Sequence, residues 1–263
     1  MKKLMLGNEA VARGAYEAGC TVATAYPGTP STEITESIAK YDEIYSEWSS
    51  NEKVALEVAI GASFAGARAI CSMKHVGLNV AADPLFTASY TGINGGLVIV
   101  VADDPGMHSS QNEQDSRQYA RASKIPMLEP SDSSECREFT MRAFELSEMF
   151  DTPVFIRLTT RVSHSQSIVE KGERQEFKIK EYKKDAQKYV MMPAMARKKH
   201  IIVENRYLKL KEYSNTNPLN SIEWGSREIG IITSGIAYQY AKEAMGEASY
   251  LKLGMVFPLP DEL

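Results

Sequence analysis

A single carboxylate opens the stretch of this chain best suited to chemistry. Glu52 begins the run Glu52-Lys53-Val54-Ala55-Leu56-Glu57-Val58-Ala59-Ile60-Gly61-Ala62-Ser63-Phe64-Ala65-Gly66. There Ala55, Ala59, Ala62 and Gly66 recur at helical spacing, as do Ala55, Val58 and Ala62. A stripe of small residues lets another backbone or a flat ligand approach closely, and the first-turn glutamate is pre-placed at its rim. A partly buried carboxyl there can hold and exchange a proton, because desolvation favours its neutral form. The competing reading is a glutamate favoured only by the positive end of the helix dipole. Glu57 lies about 140 degrees further round the helix and is the weaker candidate.

Two turns supply the groups that could surround Glu52. Cys20-Thr21-Val22-Ala23-Thr24-Ala25 reads as a short buried strand running into Tyr26-Pro27-Gly28-Thr29-Pro30-Ser31-Thr32-Glu33. Pro27-Gly28 predicts a sharp turn, Pro30 suits a first helical turn, and Thr29 or Ser31 can cap. Free backbone donors and hydroxyls then lie at the carboxyl end of a strand, where open α/β sheets bind ligands. An ordinary strand-to-helix connection would read the same way. Ala69–Lys74 predicts a second strand, followed by the polar turn Lys74-His75-Val76-Gly77-Leu78-Asn79 and a helix over Val80–Tyr90. His75 and Asn79 face either the ligand or only their own turn.

The elements that must hold these groups follow a strand–helix rhythm. Gly95–Asp103 is strongly apolar, Ser131–Phe150 is helical in pattern, and Val154–Leu158 is a further strand. Continuous apolar strands are buried on both faces, as in parallel sheets covered by helices. The spacing predicts an α/β fold with a doubly wound parallel sheet over residues 1–165. Residues 166–227 read as a charged linker carrying a helix over Ala194–Tyr213, whose cluster Arg197-Lys198-Lys199-His200 reads as solvated surface. Residues 228–263 restart the pattern with a strand at Ile229–Thr233, a helix at Ala237–Gly246 and a strand at Tyr250–Val256. Two strands cannot bury a core of their own, so this reads as the truncated start of a second α/β domain.

Bulk properties narrow the classes. The 263 residues are 43% hydrophobic with a formal net charge of −4 and interspersed signs, which argues against a nucleic-acid partner. No apolar run is long enough for a membrane span and the amino terminus lacks a signal-peptide core, so a cytoplasmic protein is expected. Cys20, Cys71 and Cys136 are widely separated, the four histidines form no ligand pattern, and no metal is expected on this chain alone. No Gly-x-Gly-x-x-Gly follows the first strand, which disfavours a dinucleotide-binding Rossmann protein.

Glu52 followed by Ala59 and Gly61, then a strand turning through Lys74–Asn79, resembles the pyrimidine-binding domain of thiamine diphosphate enzymes. Tyr26-Pro27-Gly28-Thr29-Pro30-Ser31, Ser50-Asn51-Glu52 and Arg161-Val162-Ser163-His164 narrow the resemblance to the 2-oxoacid:ferredoxin oxidoreductases. Met191–His200 and Gly230–Tyr238 most resemble the alpha subunit of the indolepyruvate branch, in its amino-terminal portion.

The resemblance implies Glu52 as the catalytic acid that bonds the aminopyrimidine and favours its imino tautomer. It implies Pro27, Gly28, His75 and Asn79 as cofactor contacts, and Thr29, His75 and Arg161 as substrate contacts. Helix capping remains open for Thr29, and ion pairing at a subunit contact for Arg161, which with His164 follows the last strand of the domain. Magnesium and iron–sulfur clusters would belong to the complete enzyme, since this chain has neither the Gly-Asp-Gly of the diphosphate side nor a cysteine-rich tail. A homodimer, a second (beta) subunit, ferredoxin and coenzyme A are the implied partners, and the isolated chain is expected to be inactive. Asp103-Asp104 stand near where pyruvate enzymes carry an arginine, which favours aromatic 2-oxoacids over pyruvate. A different 2-oxoacid, or a non-catalytic assembly homologue, remains the alternative reading.

Overall fold

The computed structural model describes residues 1–263. In chain order the elements are β1 (Lys2–Leu6), α1 (Gly7–Glu17), β2 (Val22–Ala25), α2 (Thr32–Ile38), β3 (Tyr45–Trp48) and α3 (Glu52–Phe64). Then follow β4 (Ala69–Lys74), α4 (His75–Val80), α5 (Ala82–Thr91), β5 (Leu97–Asp103), α6 (Arg117–Ser123) and β6 (Met127–Leu128). After these come α7 (Ser133–Phe150), β7 (Val154–Thr159), α8 (Thr160–His164), β8 (Gln166–Glu170), α9 (Ala186–Tyr189) and α10 (Pro193–Thr216). The chain closes with β9 (Ser221–Glu223), β10 (Ser226–Ser234), α11 (Gly235–Ala244), β11 (Ala248–Leu253) and β12 (Met255–Phe257).

The main sheet has the order β12-β6-β7-β5-β4-β2-β3. It is parallel throughout except that β12 runs antiparallel to β6. Alternate residues of β5 explain the two layers of helices. Val98, Val100 and Ala102 enter the core under α1, α2 and α7, whereas Leu97, Ile99 and Val101 enter the core under α3 to α6. Both faces are apolar, so all of β5 is buried, as the sequence implied.

Several elements depart from the sequence reading. The polar turn after β4 is already helical: α4 begins at His75, and the expected Val80–Tyr90 helix is split between α4 and α5. The small residues of α3 serve its own domain, since Ala55 and Ala59 are fully buried against the sheet. Gly66 lies beyond the helix at φ +96°, where a Cβ would sit 1.9 Å from the Lys180 carbonyl oxygen. β1 stays out of the main sheet and pairs antiparallel with β8. Residues 171–185 then run beneath the amino-terminal ends of the strands. Gly172 N–H donates to Glu17 Oε1 at 2.8 Å, and Lys180 N–H to the Gly66 carbonyl at 3.1 Å. The guanidinium of Arg68 stacks 4.4 Å from the Phe177 ring. That closes the bottom of the sheet and leaves its carboxyl edge free.

The expected Tyr250–Val256 strand breaks at Gly254. β11 belongs to a small sheet of order β10-β11-β9, and β12 crosses into the main sheet. A Cβ on residue 254 would lie 2.4 Å from the Leu219 carbonyl oxygen and 2.7 Å from the Phe139 ring, so only glycine fits the crossing. Gly254→Ala is therefore expected to cost about 1–3 kcal/mol as an overpacking change. A urea-unfolding midpoint equal to that of the unsubstituted chain would contradict this.

Candidate active site

The carboxyl ends of β2, β4, β5 and β7 converge on one edge of the sheet. After β2, Ser31 N–H and Oγ both donate to the Gly28 carbonyl at 2.8 Å, and Gly28 N–H donates to Thr32 Oγ1 at 2.9 Å. These bonds fold Pro27-Gly28-Thr29 into a tight turn with a cis Thr29–Pro30 bond. A Cβ on Gly28 would meet the Lys74 side chain at 3.2 Å, so the turn lies against the end of β4. Pro27 and Thr29 are exposed on it, and neither Thr29 nor Ser31 caps α2 through its side chain, since the Ser31 hydroxyl donates back to Gly28.

Glu52 is the first residue of α3. Asn51 caps the helix, its Oδ1 accepting from Val54 N–H at 3.0 Å. Lys53 turns outward to Asp83 at 2.9 Å. The Glu52 side chain turns inward, is only 9% exposed, and takes part in no hydrogen bond or ion pair within the chain. Its neighbour is Gly77 on α4, where a Cβ would lie 2.4 Å from Oε1 and 2.5 Å from Cγ. Gly77 is thus the floor on which this carboxylate rests. The Cys71 thiol nearby is pushed up to about 12, first by burial and then by the Glu52 charge, so it stays neutral.

His75 opens α4 and is fully buried. Its Nε2 lies 3.1 Å from the Asn112 carbonyl oxygen, so Nε2 carries the proton and donates. Nδ1 is then a buried acceptor without a partner. Asn79, one turn on, is exposed, and its Oδ1 accepts from the Tyr119 hydroxyl.

The loop 104–116 was not singled out from the sequence, yet it ties the edge together. Asp104 accepts from Ser109 N–H at 2.8 Å, Ser110 Oγ at 2.6 Å and Thr160 Oγ1 at 2.7 Å. Burial alone would raise its carboxyl, but these donors hold it well below the usual carboxylate range. Asp103 accepts from Ser116 N–H at 3.1 Å and from Arg157 Nε at 2.7 Å. The loop's carbonyls in turn bind Lys74 Nζ, through Ser109, and His75, through Asn112. A long polar segment after a fully apolar strand was the available signal.

Arg161 and His164 lie on α8, after β7. Arg161 is exposed and forms no ion pair within the chain, whereas His164 Nε2 lies 3.5 Å from Glu33 Oε2. The edge thus divides into a Glu52–His75 side at β2 and β4 and an Arg161 side at β5 and β7.

Residues 13–224 match the family described as pyruvate flavodoxin/ferredoxin oxidoreductase, thiamine diphosphate-binding. The chain belongs to this family. Among its relatives, the indolepyruvate oxidoreductase subunit IorA of Archaeoglobus fulgidus is 47% identical over 276 residues, covering 100% of this chain and 44% of that protein. IorA of Pyrococcus horikoshii is 48% identical over 275 residues, covering 98% of this chain and 42% of that protein. The chain therefore spans less than half the length of these relatives. A 2-oxoglutarate:ferredoxin oxidoreductase from Magnetococcus marinus superposes with a TM-score of 0.81 at 19% identity, over 98% of this chain and 55% of that one. At that identity the likeness establishes the fold alone.

Proposed function

We propose that the chain forms the aminopyrimidine half of a thiamine diphosphate site in an oxidoreductase subunit acting on aryl 2-oxoacids. The observation that carries this is the largely buried Glu52 side chain at the free edge of the sheet, which bonds to nothing within the chain and is pressed against a glycine. A buried polar atom without a partner is costly unless a ligand completes it, and His75 Nδ1 is such an atom on the same helix, α4, as Gly77. The residues fit an aminopyrimidine. Glu52 offers a carboxyl oxygen for a ring nitrogen, Gly77 leaves the space in which that side chain lies, and His75 Nδ1 is a buried acceptor without a partner.

Thiamine diphosphate, when bound, supplies the electron sink needed to decarboxylate a 2-oxoacid. Glu52 holds and returns a proton at its carboxyl oxygen. Pro27, Gly28 and Asn79 border the ring side, and Thr29 stands on the exposed turn where a substrate arrives. The diphosphate side, with its magnesium, comes from sequence outside these residues. The complete enzyme converts an aryl 2-oxoacid, coenzyme A and two oxidised ferredoxins to acyl-coenzyme A, carbon dioxide, two reduced ferredoxins and a proton. Its iron–sulfur clusters lie outside this chain.

A beta subunit and a cytoplasmic setting follow from the same reading. No helix is long and apolar enough to cross a membrane. Pairing with a second copy would use the open face of α3, where Val58 is 45% exposed and nothing lies within 4 Å of Gly61.

Identities of 47–48% to indolepyruvate subunits, against 26% over nearly the whole chain to the 2-oxoglutarate synthase subunit KorA of Archaeoglobus fulgidus, favour an aryl substrate. In the complete complex, kcat/KM for indolepyruvate should exceed that for pyruvate and 2-oxoglutarate by roughly ten- to two-hundred-fold, the range a side-chain pocket supplies. Equal values, or a preference for pyruvate, would remove the aryl assignment.

A further inference from the structure

The end of the sheet opposite Glu52 carries a concentration of positive charge that the cofactor reading does not use. Residues 178–199 hold eight lysines and arginines against two acids, in a chain whose formal net charge is −4. The sequence pattern places Arg197-Lys198-Lys199 in solvent, yet the fold draws Lys199 half under cover. Lys199 borders a cleft of about 520 Å³ between α9 and the first turns of α10, together with Lys188, Lys198 and Gln187. Ala194, Met195 and Ile202 form its apolar wall. A wider cleft of about 680 Å³ adjoins it, sharing Lys188 and Asp185, and presents Lys178, Lys180 and Lys183.

Few carboxylates answer these cations. Lys188 Nζ is held by Asp151 Oδ1 at 2.9 Å and by the Ile93 carbonyl at 2.6 Å. Asp185 uses Oδ1 to cap α9, accepting from Gln187 N–H and Lys188 N–H at 3.0 Å. Lys198 and Lys199 make no ion pair or hydrogen bond within the chain. Two turns further along the same face of α10, Arg206 is only 6% exposed. It binds the Asp151 carbonyl and Ser89 oxygens, has no carboxylate partner, and leaves Nε unpaired. Burial lowers the Lys199 ammonium below its usual range; Asp151 opposes that, and the Lys188 charge adds to it. Two unanswered ammonium groups thus share the cleft, backed by a buried guanidinium.

We infer that this cleft is a phosphate site, in which Lys198 and Lys199 bind the dianionic group of a soluble small molecule and the adjoining cleft leaves room for the rest of it. Two unanswered ammonium groups match a phosphate dianion better than a carboxylate monoanion. Lys199 is recessed between two helices, where a small molecule reaches it and a flat bilayer does not. The Tyr189 ring of α9 packs 4.4 Å from Phe64 at the carboxyl end of α3, and Glu52 stands at the other end of that helix, about 18 Å along its axis. The ligand is therefore no reactant at Glu52, and the site stands apart from the thiamine diphosphate reading.

Acetylation of the complete complex with acetic anhydride, read peptide by peptide by mass spectrometry, tests this at the residue itself. Inorganic pyrophosphate is the probe, with ionic strength held constant by sodium chloride. Acetylation of Lys198 and Lys199 should slow saturably, by about ten-fold once the probe stands about ten-fold above its dissociation constant. The exposed Lys3 and Lys40, remote from the cleft, should label at an unchanged rate. Lys198→Gln should raise the concentration that half-protects Lys199 by about ten-fold, the worth of one charge-assisted hydrogen bond. The unfolding midpoint of that variant should not move, since Lys198 bonds to nothing within the chain.

Saturable protection confined to Lys198 and Lys199 supports the site. Unchanged acetylation of Lys199 overturns it. Equal protection by acetate at matched ionic strength also overturns it, because that marks general screening of charge. Protection by vesicles of anionic phospholipid but not by pyrophosphate gives the surface to a membrane instead. A Lys199 that resists acetylation before any probe is added is covered by another part of the complex, and that result overturns the site as well.

Discussion

Replacing Glu52 with glutamine should lower turnover of the complete complex by roughly a hundred- to ten-thousand-fold, the usual worth of a positioned acid–base group. Glutamine keeps the size, the seat on Gly77 and the ability to hydrogen-bond, but it cannot give up or take back a proton. The fold has no reason to suffer, because Glu52 makes no bond within the chain and the α3 cap belongs to Asn51. Cofactor affinity should fall far less than turnover, since the diphosphate is anchored elsewhere in this reading. Exchange at the thiazolium C2 position reports the step directly and should slow in parallel with turnover. Wild-type exchange in Glu52→Gln would transfer the role to another group. Glu57 is a poor replacement, being exposed beside Lys53 at 4.0 Å on the outer face of the helix.

The sequence revealed the strong periodicities and little of what the chain does at its crossings. β2, β4, β5 and β7 were legible because each is an apolar run between turn residues. α3 and α7 were legible because each opens on a capping residue, Asn51 and Asp132. β3 was missed because Tyr45-Ser46-Glu47-Trp48 is an exposed edge strand without apolar alternation. β6 is only Met127-Leu128, too short for any period. β12 was merged with β11 because nothing local shows that the chain changes sheets at Gly254. That change is enforced by Leu219 and Phe139, both remote in sequence.

The candidate site divides along the same line. Glu52 could be placed from its helix start, whereas its seat on Gly77 depends on α4 beginning at His75, where a turn was expected. The small residues of α3 suggested an external partner, yet Ala55 and Ala59 pack into the sheet. Composition cannot tell which backbone a small residue is there to admit. Asp103 and Asp104 drew notice only as a departure from an arginine, because hydrogen bonds to Ser116, Ser109 and Thr160 leave no local pattern.

Arg157→Met should produce the largest loss of stability, about 3–5 kcal/mol, because it strands two buried carboxylates. Arg157 sits on β7 with Nε 2.7 Å from Asp103 Oδ2 and Nη1 2.8 Å from Glu129 Oε1, and all three side chains are buried. Glu129 Oε2 already lacks a partner, and Gly235 packs so closely that a Cβ would lie 2.5 Å from Oε1. Burial raises the Glu129 carboxyl above its usual value, the Arg157 and Arg117 charges oppose that, and Asp103 and Asp115 add to it. A raised value in the fold means that the stability contributed by the neutral form is present at low pH and lost as pH rises through the folded value. Removing Arg157 takes away the leading opposing charge, so the substituted protein should lose stability with rising pH more steeply than the original. The gap between the two in guanidinium unfolding should be smallest near about pH 5 and widest near about pH 8. A gap independent of pH would show that lost packing, rather than stranded charge, sets the cost. Asp103 also holds Ser116 at the end of the 104–116 loop. Proteolysis of that loop should therefore quicken in step with the loss of stability, carrying the effect from a buried ion cluster to the segment that holds His75.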